Sequence, residues 1–425
     1  MSHIFDVFLG MRVIITFMRK FVYCKILFFS LLLFLPEDLF ADTAGDSLTV
    51  SLITCSPGSE AYERFGHTAI RVQRPAKKID VIYNYGMFSF STPNFIYRFT
   101  KGETDYWLGI DRFRDFLFSY AMRNSTVYQQ QLNLTQAEAH VLFDALNRNS
   151  LPENRVYRYN FLFDNCSTRA EDIILQNAGG VVRYDTVFVQ GTFRSLIHAC
   201  TKPDKWLTFG IDLALGSRID KPITFKESLF LPDNLMKAFA SAQIETDSVA
   251  RELVCKTDVL ISSDPEEADE NEGAVLSPLA VSWMVAIFAA LLSVWQYRRG
   301  RQLRWFDSLL FLLYGITGCV LFFLMFVSEH PATYPNYSAF WLHPFHLFIA
   351  VAVWLKSAKK IVYYYHFINF AVLIAFLLLW NVIPQQFNEA FIGLIVAMLV
   401  RSACGVAMER KSGQSGAADV LKKKR

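Results

Sequence analysis

The stretch Asn160–Gly180, "NFLFDNCSTRAEDIILQNAGG", decides how the first half of the chain is interpreted. Its apolar residues share one helical face, Thr168-x-x-Glu171 fits a capping box, and Gly179-Gly180 is typical of a helix end. The pattern predicts a helix that begins at or just after Cys166. Unpaired N–H groups and the positive end of the dipole at such a start stabilise a thiolate. A nucleophile fits this position, and so does a buried structural cysteine behind an asparagine cap.

The N-terminal segment predicts export. An uncharged apolar run, Ile26–Leu35, follows three basic residues and leads into a Leu39-x-Ala41 step. Because the run is shorter than the roughly 20 residues of a membrane span, residues 1–41 are predicted to be a signal peptide. Met18 would be a more ordinary start for such a peptide than Met1.

Cysteine usage and charge limit the possible classes of protein. Seven cysteines and a net charge of +3 are present, with no CxxC motif and no basic stripe in the exported part. A disulfide framework and a nucleic-acid partner are therefore not expected, and no metal or cofactor is predicted. Three cysteines lie in the signal peptide or the apolar segments, and four remain in the exported domain: Cys55, Cys166, Cys200 and Cys255. One or two disulfide bridges among these four are left open.

Residues 42–261 have the pattern of an exported α+β domain. Apolar–polar alternation in "SLTVSLITC", "HTAIRV" and "DVIYNYGMFSF" predicts strands, and "DRFRDFLFSYAMRN" and "LTQAEAHVLFDALNRN" predict helices. The acidic stretch 262–274 lacks aromatic residues and is typical of an exposed linker.

An all-α membrane domain of five helices is predicted for residues 275–405. Its first and third loops are basic, its second and fourth loops contain no Lys or Arg, and the tail 406–425 is basic. By the positive-inside rule the tail is cytoplasmic, and an odd number of spans then places the large domain outside. His343 and His346 interrupt the third segment, and Arg401 borders the fifth. The segments lie near 276–297, 306–327, 340–355, 361–381 and 388–405.

A cysteine nucleophile needs a base, and His67 is the preferred candidate. It follows Gly66 at the start of a strand, whereas the other two histidines of the domain lie in helical or surface segments. A lone strand histidine is more often structural, but paired with Cys166 it can take the thiol proton. Asn84, on the next strand, is the preferred group to orient the imidazole, ahead of Asp80, Glu60 and Tyr85.

Three motifs in order carry a family resemblance: "GSEAYERFGHTAIRV", "YNYGMFSFSTPNFIYRFTKGETDYWLG" and "YNFLFDNCSTRAED". With the apolar region that holds "SEHPATYPN", they resemble the bacterial lipoprotein N-acyltransferase family Lnb. The order of histidine before cysteine is similar to permuted papain-like enzymes of the lecithin:retinol acyltransferase type. The resemblance implies a periplasmic cysteine-enzyme domain with Cys166 as nucleophile and His67 as base, joined to a multi-pass domain in the bacterial inner membrane.

The resemblance also implies the reaction and its partners. An acyl chain would pass from a membrane phospholipid, through a cysteine thioester, to the α-amine of the diacylglyceryl-cysteine of a lipoprotein. The residues themselves suggest an aromatic acyl path, with ordinary core packing as the alternative for these rings, and four polar residues as candidates to bind substrate, with surface or loop positions without chemistry as the alternative. The path residues are Phe88, Phe90, Phe95, Phe99 and Trp107, and the substrate-binding residues are Arg98, Lys101, His330 and Asn336.

Two other functions fit the same residues. A periplasmic cysteine amidase or peptidase would use the same Cys–His pair with water in place of the amine. A non-enzymatic membrane sensor would keep Cys166 as a structural residue. A cell-wall hydrolase would not require a membrane domain of five spans.

Overall fold

Strands and helices alternate through the N-terminal half and give way to helices alone in the C-terminal half. The computed structural model describes residues 47–185, 191–247, 249–264 and 276–423, with side chains up to residue 411. The predicted signal peptide, residues 265–274 of the predicted linker and the end of the tail lie outside these residues. The described residues from Leu48 onward, apart from 74–78, belong to one unit.

Ten described strands form two sheets. The larger has seven strands in the order β10-β5-β1-β2-β3-β4-β6, and β7-β8-β9 form a small second sheet. The strands are β1 Thr49–Cys55, β2 His67–Arg74, β3 Ile79–Met87, β4 Asp105–Arg112, β5 Val127–Leu132, β6 Val156–Arg158, β7 Val181–Arg183, β8 Gln243–Glu245, β9 Ala250–Glu252 and β10 Val254–Ile261.

The helices of the N-terminal half lie between and after these strands. They are α1 Phe95–Lys101, α2 Phe113–Ala121, α3 Gln136–Asn149, α4 Cys166–Asn177, α5 Phe193–Thr201, α6 Lys205–Ala214, α7 Phe225–Ser228 and α8 Pro232–Ser241. The α+β class predicted for this half is thereby confirmed.

Capping explains where the predicted helices begin. The α3 helix starts as expected, with Thr135 and Glu138 forming a reciprocal capping box. The α4 helix starts at Cys166, as predicted, but the predicted box between Thr168 and Glu171 is wrong. The residue that caps the helix is Asn165, and Thr168 is the third helical residue. Glu171 lies inside the helix and is buried.

The α4 helix is held in the main core of the domain. Ala170 and Ile174 are fully buried and pack with Tyr83 and Tyr85 of β3, in the same cluster as Cys166. Full burial of a large apolar side chain such as that of Ile174 stabilises the fold by about 1.5–3 kcal/mol. The first residue of α4 is therefore fixed against the sheet.

In the described part of the C-terminal half, four helices are long and apolar enough to cross a membrane, at 278–299, 304–326, 356–378 and 390–411. The helices of this half are α9 Pro278–Arg299, α10 Arg304–Phe326, α11 Phe345–Ala352, α12 Lys359–Leu378 and α13 Ala390–Lys423. The predicted third segment is different: α11 has eight residues, so it measures about 12 Å and is too short to span alone.

The third segment nevertheless follows α10 along most of its length. Thr333 donates its hydroxyl to Leu324 O (2.6 Å) near the end of α10, and Ser308 near its start donates to Ala350 O (2.5 Å). Between these contacts, a Cβ on Gly318 would lie 2.5 Å from the backbone of His343. Irregular backbone at this depth is tolerated because neighbouring helices bury it.

The loop after α10 joins the two halves. Gly216 N–H donates to Ala332 O (2.8 Å), and Ser328 Oγ donates to Thr100 O at the end of α1 (2.8 Å). Asn388, before α13, donates to Asp212 of α6 (2.9 Å). The N-terminal domain is thus docked on the loops at one end of the helix bundle.

Candidate active site

Three segments of backbone meet at the predicted nucleophile: the start of β2, the middle of β3 and the start of α4. Gly66 enters β2 with φ of +73°, and a Cβ there would lie 2.7 Å from the carbonyl oxygen of Cys55. Only glycine fits this approach without strain. The next residue, His67, pairs with Cys55 across β1 and β2.

The Asn165 amide fixes the start of α4. Its oxygen accepts from the backbone N–H groups of Ser167 (2.9 Å) and Thr168 (3.0 Å), and its nitrogen donates to two carbonyls at 2.8 Å, Phe161 O and Phe230 O. All hydrogen-bonding capacity of this buried side chain is used. The following residue, Cys166, is therefore held in one position at the helix N-terminus.

The His67 ring bridges the cysteine and the asparagine. Its Nε2 lies 2.5 Å from Asn84 Oδ1, and the imidazole is also hydrogen-bonded to the Cys166 thiol. Because an amide oxygen only accepts, Nε2 carries a proton and Nδ1 is the nitrogen that faces sulfur. The structure thus brings Cys166, His67 and Asn84 together.

The electrostatics of the site favour a thiolate–imidazolium pair. Burial raises the pKa of Cys166, but the charge and hydrogen bond of His67, the Thr68 backbone N–H and the Ser167 hydroxyl together lower it below the usual thiol value. Burial lowers the pKa of His67, and the charge and hydrogen bonds of Cys166 and Asn84 together raise it above its usual value. Each partner stabilises the charged form of the other.

In two other cysteines of the domain the thiol pKa is raised, whereas that of Cys166 is lowered. Burial raises the pKa of the Cys55 thiol, which lies opposite His67, and of the Cys200 thiol on α5. Every described cysteine is free, so the bridges that the sequence left open do not occur among them. Depth in the protein alone does not activate a thiol, and the contacts of Cys166 distinguish it from Cys55.

Two family models match the chain. The Lnb N-terminal periplasmic domain matches residues 36–198, and the Lnb transmembrane domain matches residues 269–412. The chain belongs to the Lnb family. No curated protein and no solved structure matches it. Membership in Lnb indicates an acyltransferase that acts on lipoproteins, with a periplasmic domain joined to a multi-pass membrane domain.

The Lnb site includes residues that the sequence did not reveal. The Tyr120 ring stacks on His67, with centroids 6.5 Å apart and planes 10° from parallel, and its hydroxyl is hydrogen-bonded to the Cys55 thiol. Burial raises the pKa of Tyr120 well above its usual value, so this phenol stays protonated. Arg123 lies over the Tyr120 ring at 5.2 Å and pairs with Glu63 at 2.8 Å.

Four of the five aromatic residues expected to form an acyl path, Phe88, Phe95, Phe99 and Trp107, line one open cleft in this Lnb domain. The fifth, Phe90, does not line it and is 65% exposed. A role for these rings in acyl binding stays a prediction. Tyr106 forms its inner wall, with its ring 5.0 Å from Phe88 and 4.8 Å from Tyr159. Tyr159 in turn packs against the core cluster that contains Cys166.

The four residues expected to bind substrate have other partners in the structure. Arg98 lines the aromatic cleft and pairs with Asp105 at 2.8 Å, and Lys101 pairs with Glu103. His330 Nε2 donates to Phe99 O (2.8 Å) where the loop after α10 meets α1. A substrate contact for these residues stays a prediction.

Asn336, the fourth of them, is buried. Its amide nitrogen donates to Leu213 O (2.8 Å), and its oxygen accepts from Ser338 N–H (3.0 Å) and from Gln385 (3.1 Å). These contacts hold the loop after α10 against α6. Among the described residues, no group of His, Cys, Asp and Glu is arranged to hold a metal ion.

Proposed function

We propose that this protein transfers an acyl chain from a membrane phospholipid to the α-amine of the N-terminal diacylglyceryl-cysteine of lipoproteins, through a thioester on Cys166. The observation that carries the proposal is the arrangement of a half-buried His67 between the buried Cys166 and Asn84, in which a thiolate is stabilised beside an imidazolium. Membership in Lnb supports the lipoprotein as acceptor.

The first half-reaction makes the thioester. The Cys166 thiolate attacks the ester carbonyl of the phospholipid, so that a C–S bond forms and a tetrahedral oxyanion develops. When the C–O bond breaks, the His67 imidazolium gives its proton to the leaving oxygen, and a lysophospholipid departs. The neutral imidazole that remains is the base for the next step.

The oxyanion requires donors at the helix start. The cap formed by Asn165 occupies the N–H groups of Ser167 and Thr168, and the Thr68 N–H donates to the thiol sulfur. The Cys166 N–H, which has no acceptor among the described residues, is therefore the donor that we assign to the oxyanion. The positive end of the α4 dipole adds to its effect.

The second half-reaction transfers the chain. The α-amine of the lipoprotein, with a free pKa of about 8, is deprotonated by His67 and attacks the thioester carbonyl. A C–N bond forms, the C–S bond breaks, and the Cys166 thiolate is restored. Asn84 holds the imidazole in one tautomer through both steps.

The position of the site suits substrates that lie in a membrane. The Tyr106 ring at the inner wall of the aromatic cleft packs on Tyr159, and the Phe99 ring, also in the lining, lies 6.0 Å from His330 in the loop after α10. On the outer side of α1, Tyr97 packs 6.2 Å from Phe323 of the membrane helix α10. The cleft and the outer side of α1 thus offer apolar surface for a phospholipid acyl chain beside the membrane helices.

The test is Cys166→Ser, which keeps the size of the side chain and supplies a hydroxyl that His67 alone deprotonates poorly. Cells relying on this variant are expected to accumulate lipoproteins with two acyl chains and a free N-terminal amine, as measured by mass spectrometry. The matched control is Cys200→Ser, which changes a half-buried cysteine elsewhere in the domain and is expected to leave N-acylation intact.

Fully N-acylated lipoproteins in cells with normal amounts of Cys166→Ser would overturn the mechanism. A phospholipid thioester analogue separates the other functions. An acyltransferase and a hydrolase both acquire an acyl adduct at Cys166, but only the acyltransferase passes it to a diacylated lipopeptide. A sensor acquires no adduct.

A further inference from the structure

A second cleft, which is lined by many polar residues, lies at the end of the helix bundle away from the docked domain. It is open to solvent and is bounded by the start of α10, the end of α11, the start of α12 and the last part of α13. Since α10 is 23 residues long, about 35 Å separate this end from the loop that meets α1. The cleft is therefore remote from Cys166.

Cationic groups and helix starts converge on the cleft. Arg304, Lys356 and Lys359 line it, and the latter two are exposed. The α10 and α12 helices both begin here, and neither has a side-chain cap. Two helix N-termini with basic residues in one concavity are the arrangement that binds anions in proteins.

Buried polar groups form the floor of the cleft. His366 is 4% exposed, lines the cleft, and its Nδ1 has no hydrogen-bond partner among the described residues. Asp307 also lines the floor, but its carboxylate is engaged by Arg401 at 2.7 Å. Glu409 is the other carboxylate in the lining. Because the charge of Asp307 is balanced by Arg401, the cations Arg304, Lys356 and Lys359 outnumber the remaining carboxylate, and the cleft has a net positive charge.

Aromatic residues place the cleft at the depth of lipid headgroups. Trp305, beside Arg304, is 55% exposed, and Trp354, at the end of α11, is 53% exposed. Tryptophan collects at the boundary between hydrocarbon and water, where its ring is partly solvated. Basic pockets between membrane helices at this level bind phospholipid headgroups.

We propose that the cleft lined by Arg304, Lys356, Lys359 and His366 binds a phosphate group, supplied by an anionic phospholipid of the adjacent leaflet. A free phosphate compound carries the same chemistry, and the experiment distinguishes the two sources. The site does not depend on the acyl-transfer reaction, because none of its residues belongs to the Cys166 site.

The test measures thermal unfolding of the full-length protein in detergent with added phosphatidylglycerol, phosphatidylethanolamine or inorganic phosphate. The cleft variant is Arg304→Gln/Lys356→Gln/Lys359→Gln. The control, Arg298→Gln/Arg299→Gln/Arg301→Gln, removes the same charge from exposed residues at the same end of the bundle that do not line the cleft.

Phosphatidylglycerol is expected to raise the unfolding temperature of the wild type and the control. In the cleft variant its apparent affinity should fall by on the order of tenfold or more. If inorganic phosphate reproduces the shift, the phosphate site stands and its ligand is a soluble compound. Equal losses in both triple variants, or no shift with any of the three probes, would overturn the proposal.

Discussion

His67 Nε2 lies 2.5 Å from Asn84 Oδ1, and this contact determines which ring nitrogen faces Cys166. The amide oxygen accepts the Nε2 proton, so Nδ1 is left for the thiol. The Tyr120 ring covers one face of the imidazole. Orientation and tautomer of the proposed base are thus fixed by neighbours on two different elements.

Removing the acceptor should slow the reaction without removing the base. We expect Asn84→Ala to lower the rate of acyl transfer about tenfold, below the roughly 100- to 10,000-fold contributed by general acid–base catalysis. Asn84→Asp restores an acceptor and should recover most of the rate. Transfer to a diacylated lipopeptide in lipid nanodiscs measures both. An Asn84→Ala rate equal to the wild type would remove Asn84 from the mechanism.

Thiol reactivity should show the coupling of Cys166 and His67. Because the pKa of Cys166 is lowered, its thiolate persists below the range of ordinary thiols and is lost only as acid protonates it. Because the pKa of His67 is raised, the imidazolium persists to higher pH and is lost as the pH rises. The pair exists between these two limits.

We therefore expect His67→Ala to shift the pH profile of Cys166 alkylation upward, towards the ordinary thiol pKa of about 8.5. Mass spectrometry of iodoacetamide-treated protein follows the modification at each pH. His140→Ala, on α3, is the matched control and should leave the profile unchanged. The same profile for His67→Ala and wild type would contradict the pairing.

The sequence revealed the parts of the site that have local signatures. Cys166 follows an asparagine at a helix start, His67 follows a glycine that enters a strand, and Asn84 is a polar residue in an aromatic strand. Tyr120 has no such signature, since its contact with His67 arises only when α2 packs over the sheet. Side chains brought together by tertiary packing are not visible in a single sequence.

The third membrane segment shows a similar limit. Its composition predicted a span, but Pro344 precedes the first residue of α11, and His346 uses both ring nitrogens inside the bundle, towards Trp341 O and the Tyr365 hydroxyl. The first contact satisfies a backbone carbonyl just before α11, and both satisfy the polar ring atoms of His346 inside the bundle, where an interrupted helix is then tolerated. Hydropathy records the apolar character of a segment and does not record where its polar groups are satisfied.

The outer side of α1 should determine access of lipid to the site. Ile96 is 80% exposed, beside Tyr97, which packs on the membrane helix α10. We expect Ile96→Glu to reduce acyl transfer from phospholipid several-fold, because a carboxylate at a lipid surface is poorly solvated. Alkylation of Cys166 by water-soluble iodoacetamide should not change.

Val141→Glu is the control, since Val141 is 52% exposed on α3 and belongs to no membrane contact described above. Equal effects of the two substitutions on transfer would show that added charge, and not lipid access, is responsible. Loss of iodoacetamide reactivity in Ile96→Glu would show that the substitution disturbs the thiol itself.

The orientation of the bundle follows from its loops and from the third segment. With four spans alone, the two ends of the membrane domain would lie on the same side. Because residues 333–350 follow α10 from Leu324 back to Ser308, the chain returns to the basic end before α12 begins. We expect the second and fourth loops, which contain no Lys or Arg, on the periplasmic side, and the basic first and third loops in the cytoplasm.

Cysteines introduced in a background lacking Cys255 and Cys319 test this topology. A membrane-impermeant maleimide should label Val382→Cys, 74% exposed in the loop before α13, in intact cells with a permeable outer membrane. Lys360→Cys, exposed at the start of α12, should react only after the inner membrane is opened. Labelling of both positions in intact cells would mean that the segment alongside α10 does not complete a crossing, and the reverse pattern would invert the whole topology.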